Sequence, residues 1–327
     1  MLRAAIIGAG RIGWAYDGGR WDGETRAVSL ASCMDKHPRV RLVAVFDPVA
    51  EARQRFSAGY QGPGPVKIFD NLTALLSDKP DIVAIASPTA FHAEHIAACF
   101  DASIPRLWIE KPATLQLGEL KSLLLHMGQL THRPRTCVNY LRRCLPQIDY
   151  MKAHLAAADP DRPVWMNVSY SRGLAVNGVH MLDLVGVLLG AQEAPELEFC
   201  VRPHHGNVQF GFHSGNIQVT VTGYDLAYHL IELSLTDDRG RLSLVRGGSD
   251  LTWEEAEPNP LYPGFFRLPA PVELTQFNGP DSVLDNAAYQ MLCALVDDSL
   301  PSPSPLEDAL FAQSLLARVE QAIGTAV

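Results

Sequence analysis

Four short clusters carry residue types able to do chemistry. The first, Gly8-Ala9-Gly10-Arg11-Ile12-Gly13, is a GxGxxG that directly follows an apolar run over residues 4–7. Glycines at this spacing permit a tight turn and let the backbone come close to a pyrophosphate, which nominates Gly8, Gly10, Arg11, Ile12 and Gly13 for a dinucleotide. Asp47 ends a later apolar run. A carboxylate there accepts hydrogen bonds from the adenosine ribose hydroxyls and repels a 2′-phosphate, so NAD is favoured and NADP is the alternative. Asp47 stands 34 residues after Gly13, against about 20 in the simplest form of the motif. The excess, residues 16–25, contains Asp17-Gly18-Gly19 and Asp22-Gly23 and reads as an inserted loop. Trp14, Tyr16 and Trp21 are candidate contacts there, with a plain surface excursion as the competing reading. The two remaining clusters, Ser87-Pro88-Thr89 and Glu110-Lys111-Pro112, each close a short apolar run. Proline disfavours α conformation at the residue before it, so Lys111 leaves its strand extended. A lysine partly withdrawn from water has a lowered pKa and can move a proton or polarise a carbonyl, whereas in a solvated loop it does neither.

These clusters need a scaffold that brings strand ends together. Through residue 142, β-branched runs at 3–7, 41–46, 66–69, 82–86, 107–109 and 136–139 alternate with helical stretches at 26–36, 48–60, 72–77, 91–102 and 117–130. That alternation predicts βαβ units and a doubly wound parallel sheet, a Rossmann domain over 1–142, with ligands at the carboxyl ends of the strands. From 143 to 327 the texture changes. Alternating runs at 164–170, 196–201, 208–222, 229–236 and 241–245, with a turn at 236–240, predict an α+β domain with a largely antiparallel open sheet. Helices are expected at 146–157, 177–189, 282–298 and 306–323, and the five prolines of 258–271 argue for a loop or sheet edge.

Composition narrows the function classes. With 327 residues, 47% hydrophobic and 19% charged, the chain has the make-up of a folded two-domain protein. A net charge of −9, with no basic run longer than Arg142-Arg143, argues against nucleic acid as a partner. No run approaches the roughly 18 apolar residues of a membrane span, so a cytoplasmic location is expected. The six cysteines show no CxxC spacing and read as free thiols. His92 and His95 share a helix face, but no third ligand completes a metal site, and no metal is expected. Arg142, Arg143 and Arg172 could clamp an anionic substrate with paired hydrogen bonds, with surface ion pairing as the alternative.

In this order the motifs resemble the Gfo/Idh/MocA oxidoreductases. The resemblance rests on Gly8 to Gly13, the LVAVFD run ending in Asp47, Ser87-Pro88-Thr89 followed by His92, Glu110-Lys111-Pro112, Asn139-Tyr140 with Arg142-Arg143, and Gly178-Val179-His180-Met181-Leu182-Asp183. It implies hydride transfer between NAD and a secondary alcohol or ketone of a sugar, cyclitol or nucleotide sugar. By the same resemblance Ser87, Pro88, Thr89, His92, Glu110 and Lys111 line the cofactor. Tyr140, Arg142, Arg172, Asn177 and His180 join Lys111 around the substrate. Lys111 and His180 carry the proton, a task that suits an imidazole titrating near neutrality. Asp183, on the same helix face as His180, either orients the ring or serves the core. Where many members of that family have an aspartate four residues before the histidine, this chain has Val176, followed by Asn177. That departure keeps a catalytically silent dinucleotide-binding regulator in play. An enzyme that retains NAD through a redox-neutral epimerisation or elimination is a further alternative. The open sheet predicts self-association, as a homodimer or homotetramer.

Overall fold

The computed structural model describes residues 1–17, 27–202, 208–277 and 284–324. The chain forms two units, one of Met1–Cys144 with Asp285–Leu310, the other of Leu145–Leu284 with Phe311–Val327.

Six strands build the first unit: β1 (Leu2–Ile7), β2 (Val40–Phe46), β3 (Lys67–Phe69), β4 (Ile82–Ile85), β5 (Arg106–Ile109) and β6 (Arg135–Val138). They are all parallel, in the order β3-β2-β1-β4-β5-β6. The last four residues of β1 and all of β4 are buried, as expected of a sheet covered on both faces. Strand order reverses between β1 and β4, so the crevice of a doubly wound sheet opens beyond Ile7 and Ile85. The covering helices include α1 (Leu30–Lys36), α2 (Ala50–Gly59), α3 (Leu72–Ser77), α4 (His92–Asp101) and α5 (Leu117–Gln129).

The expected 26–36 helix starts only at Leu30, because the Ser29 side chain caps it by accepting from Ser32 N. Asp17 strengthens that end. Its carboxylate accepts from Val28 N and Ser29 N, both at 2.9 Å, and from the Ser32 hydroxyl. Burial works against the Asp17 charge, but these bonds outweigh it and hold the carboxyl below its ordinary pKa. Trp21 lies outside the described residues. Trp14, offered as a ligand contact, is instead core: its indole donates to Ala9 O at 2.9 Å and meets Phe56 edge-on at 5.5 Å. Tyr16 is exposed.

The domain boundary differs from the 142/143 division in two ways. The break follows Cys144, and residues 285–310 return to the first unit. The cause is packing: helix α8 (Leu284–Val296) buries Ala288, Met291, Leu292, Leu295 and Val296 in the cluster that holds Leu30, Met34 and Leu42. Helical periodicity marks a buried face without saying which core it fills.

The second unit opens with α6 (Pro146–Ala156), β7 (Val164–Ser171) and α7 (Val179–Leu189), then runs through β8 (Phe199–Val201), β9 (Gln209–Ser214), β10 (Ile217–Tyr224), β11 (Ile231–Asp237), β12 (Gly240–Val245) and β13 (Asp250–Glu255). Short strands β14 (Glu257–Pro258), β15 (Phe266–Arg267) and β16 (Val272–Glu273) occupy the proline-rich stretch, and α9 (Ala309–Gly324) ends the described chain. Eight strands join in the order β16-β13-β12-β11-β7-β10-β9-β8, antiparallel except for the β7 and β10 pair. The run expected over 208–222 is a hairpin of two strands, turned at Gly215 with φ +59. Strand β13 was not expected from the sequence, since only Leu251 and Trp253 mark its apolar face. Glu254 is buried on the face of the sheet opposite Leu251, where it pairs across the strands with the exposed Arg241 through bonds of 2.5 and 2.8 Å. Glycine also permits close helix contact here: a Cβ on Gly186 of α7 would lie 2.6 Å from Cδ1 of Phe311 in α9.

Candidate functional site

At the end of β1 the chain is held between two neighbours: Gly8 N donates to Phe46 O at 2.8 Å, and Ala86 N donates to Ile7 O at 2.8 Å. Gly8 has φ +105, and a Cβ there would lie 2.7 Å from the Ala86 carbonyl and Ser87 N. Gly13 is packed onto the Gly8 carbonyl. Gly10 differs, since a Cβ on it would meet nothing within 4 Å. Two glycines thus serve the close packing of the turn and the third opens its backbone to space, the division of labour that a pyrophosphate requires. A single turn of helix, Arg11–Ala15, follows.

That open side faces a cleft of about 580 Å³. Of the residues expected at the cofactor, Gly8, Gly10, Asp47, Ser87 and Pro88 line it; sequence reasoning did not nominate Val49, Arg55, Phe91 and His95, which line it as well. Asp47 is fixed by the backbone, with Oδ2 accepting from Ala9 N and Oδ1 from Val49 N, both at 2.9 Å. Phe91 and His95 stack on one wall at 6.2 Å, and Ser87 Oγ lies 2.9 Å from His95 Nδ1. The size falls within the range of small-molecule sites. Open backbone at Gly10, an acid at the ribose position and a flat aromatic wall together fit a nicotinamide dinucleotide.

His92 sits one helical turn before His95 but is buried between loops. Its Nε2 lies 2.8 Å from Ser87 O and its Nδ1 3.0 Å from Pro112 O, so the ring ties the loop after β4 to the loop after β5. Burial lowers its pKa, and the carbonyl contacts partly oppose that. Thr89 is half-buried in the 3-10 turn Thr89–Phe91 that precedes α4. Arg11 and Ile12 lie in the helical turn, outside the cleft lining.

The carboxyl end of β5 brings together three groups whose charges are perturbed by burial. Burial pushes the Glu110 carboxyl up to about 7, against a hydrogen bond from Asn139 and the Lys111 charge, which pull it down. Burial also lowers the Lys111 pKa; Glu110 opposes that shift and Arg142 adds to it. Arg142 is itself buried, which brings its guanidinium down to about 10. Tyr140 is buried as well, with the Arg143 guanidinium 5.9 Å from its ring centre. Arg143 pairs with Asp308, an ion pair internal to this unit.

Arg172, Asn177 and His180 belong to the second unit, around the turn between β7 and α7. Arg172 is exposed with φ +66, and its guanidinium donates to His229 Nε2 at 2.6 Å. Asn177 is buried and donates to Ser171 O at 2.9 Å, with His229 Nδ1 3.3 Å away. His180 is half-buried in the first turn of α7, Asp183 is buried on the same helix, and Val176 is exposed. No sequence signal singled out His229, which lies beyond β10 and meets Arg172 only through the fold. Among the described residues no three His, Cys, Asp or Glu side chains could hold a metal ion, and no helix is long and apolar enough to cross a membrane.

Comparison with known proteins concerns the chain and its fold. Residues 2–132 match the oxidoreductase family with the NAD-binding Rossmann fold, GFO_IDH_MocA. An inositol 2-dehydrogenase of Mycolicibacterium gilvum is 25% identical over 204 residues, 59% of this chain and 54% of the relative. The chain thus spans about half the length of the curated relatives it matches. Among solved structures, an oxidoreductase from Agrobacterium radiobacter in complex with NAD+, L-tartaric acid and magnesium superposes with a TM-score of 0.73 at 15% identity, covering 100% of this chain and 97% of the other. A 3-ketoreductase from Actinomadura kijaniata in complex with TDP-benzene and NADP gives 0.71 at 18% identity, covering 98% and 97%. At these identities the structures establish the shared two-domain fold.

Proposed function

Starting from the membership of residues 2–132 in the Gfo/Idh/MocA oxidoreductases, we propose that this protein transfers a hydride between NAD and a secondary alcohol or ketone of a sugar, cyclitol or nucleotide sugar. The observation that carries the reading is the pairing, on one parallel sheet, of a backbone-open glycine turn with a half-buried lysine. Gly8, Gly10, Gly13 and Asp47 hold the dinucleotide, with Ser87 and Pro88 along the cleft and Thr89 toward the nicotinamide end. Bound there, the nicotinamide supplies the two-electron acceptor or donor.

The protein's own task is the proton. Oxidising an alcohol releases one proton for each pair of electrons, and a base whose pKa lies near the working pH takes it most effectively. Burial brings the Lys111 amine toward that range, with Arg142 assisting and Glu110 restraining the shift. His180 is assigned the second proton-handling role, with Tyr140, Arg142, Arg172 and Asn177 around the substrate.

The test is to mix the purified protein with NAD or NADP and a panel of inositols, glucosides and nucleotide sugars, and to follow reduced cofactor by absorbance. Turnover with one class is expected. Lys111→Met should lower kcat by on the order of 100-fold while leaving the NAD Kd unchanged. Arg55 on the cleft wall favours a second cofactor reading, since a guanidinium there can meet a 2′-phosphate. Preference for NADP in the same assay would select it. The exposed Val176, with no carboxylate at that position, favours the silent-regulator reading. NAD binding without any turnover across the panel would select that reading.

A further inference from the structure

Beyond Lys111 and His180, the first unit contains a directional chain of hydrogen bonds that neither the sequence motifs nor the family description assigns. Trp108 is buried in β5, and its Nε1 donates to Asn139 Oδ1 at 3.1 Å. Asn139 is buried just after β6, and its Nδ2 donates to Glu110 Oε1. The other carboxylate oxygen, Oε2, lies 3.3 Å from Lys111 N. An indole N–H can only donate. It therefore selects the Asn139 rotamer that turns Oδ1 toward Trp108, and that rotamer must point Nδ2 at Glu110. Asn139 N also donates to Ile109 O at 2.7 Å, which fixes its backbone to the same strand end.

We propose that Asn139 is a positioning residue: with its amide oriented by the Trp108 indole, it holds the Glu110 carboxylate as an acceptor beside Lys111 and so sets the protonation balance of that pair. This rests on the reading of Lys111 as the proton-handling lysine. The physical logic is one of opposing effects at one carboxyl. Burial favours the neutral acid and reaches about 7, while the Asn139 amide and the Lys111 charge favour the ionised form. Lys111 mirrors this, since burial drives off its proton and the Glu110 charge retains it, while the Arg142 charge also bears on the amine. When Glu110 is ionised the lysine keeps its proton. When Glu110 is neutral the lysine loses its counter-charge and releases that proton more readily, so the two titrate as a coupled pair. An asparagine amide that favours only one state of the acid can therefore tune the lysine without touching substrate.

The test is direct titration of Glu110 in full-length protein labelled with 13C at glutamate carboxyl carbons, its resonance assigned by loss in Glu110→Gln. The native midpoint is expected near 7. Asn139→Ala should raise it by about one unit, because the bond that favours the ionised form is gone. Trp108→Phe should raise it too, since the amide is no longer held in one orientation, and this second variant carries the test if the first does not fold. An unchanged midpoint in the folded variants overturns the proposal. In turnover assays of alcohol oxidation, Asn139→Ala should also shift the acid limb of kcat to lower pH, a change that a packing role alone does not produce. The carboxyl titration needs no substrate. A midpoint that moves while no compound is oxidised leaves the positioning role standing and removes the function, and turnover with an unmoved midpoint does the reverse.

Discussion

The strand ends of the first unit and the turn before α7 in the second both present polar groups, yet they are built in opposite ways. At the ends of β2, β4, β5 and β6 the groups are locked to backbone or to one another. Asp47 is held by two N–H groups, His92 lies between two carbonyls, and Asn139 is held between Trp108 and Glu110. Around Gly173, by contrast, Arg172, Val176 and His229 are exposed, and Arg172 has a left-handed backbone. A region locked in this way is organised before any ligand arrives, which suits an invariant cofactor and a fixed proton route. Exposed side chains on a turn can change partners at small cost, which suits the part of a site that tells substrates apart.

The sharpest way to break this contrast is at the glycine turn. Gly8→Ala places a Cβ against the Ala86 and Ser87 backbone and imposes φ +105 on an L residue. A cost of about 1–3 kcal/mol for the backbone conformation alone should appear as a lower melting temperature together with lost NAD binding. Gly10→Ala meets open space, so its melting temperature should stay near the native value while NAD affinity falls. Thermal melts and calorimetric titration of both variants check this. Equal melting temperatures would mean that the turn is not locked at Gly8.

Those same glycines show why the sheet was legible and other parts were not. A parallel sheet buried on both faces writes itself as apolar runs separated by helices, and its ligand end follows from the strand order, so Gly8, Asp47, Ser87 and Lys111 could be named from spacing and chemistry. Partners joined only by the fold leave no such trace. Trp108 and Asn139 are separated by 31 residues, and an indole inside an apolar strand reads as core. Arg172 and His229 are separated by 57 residues, and nothing in the run that His229 opens pairs it with Arg172. The two-unit division slipped for a similar reason: α8 is amphipathic by sequence, but its core lies in a unit whose main segment ended at Cys144. Strand β13 is short, and its apolar face is written by only two residues, Leu251 and Trp253, too few for a periodic signal.

A smaller effect tests the second unit. Arg172→Ala keeps a non-glycine residue at φ +66, so the turn itself is disturbed little, while the guanidinium is removed. For a nucleotide sugar, KM should rise by about tenfold, equivalent to about 1.4 kcal/mol, as a paired contact to phosphate is lost. For an uncharged cyclitol, KM, kcat and the NAD Kd should all stay near native. Steady-state kinetics on one substrate of each kind provide the check, and a uniform loss across both would mean that Arg172 supports the fold instead of selecting substrate.

A further consequence is a pH dependence of stability, and it probes the first unit without any substrate. Burial raises the Glu110 carboxyl in the folded protein from its ordinary 4.5 to about 7. The folded state therefore binds this proton more tightly than the unfolded chain does. Glu110 thus contributes stability that is fully present below about 4.5 and is lost as pH rises through about 7, with no further change above. Gln cannot titrate, and its amide oxygen can still accept from Asn139. The unfolding free energy of Glu110→Gln relative to native should therefore climb across that window and level off on either side. Urea denaturation of the two proteins at half-unit steps from pH 4 to pH 8 measures it. Parallel curves would show that the acid is solvated in the folded state, and the contrast between a locked and an adaptable region would lose its titrating carboxyl.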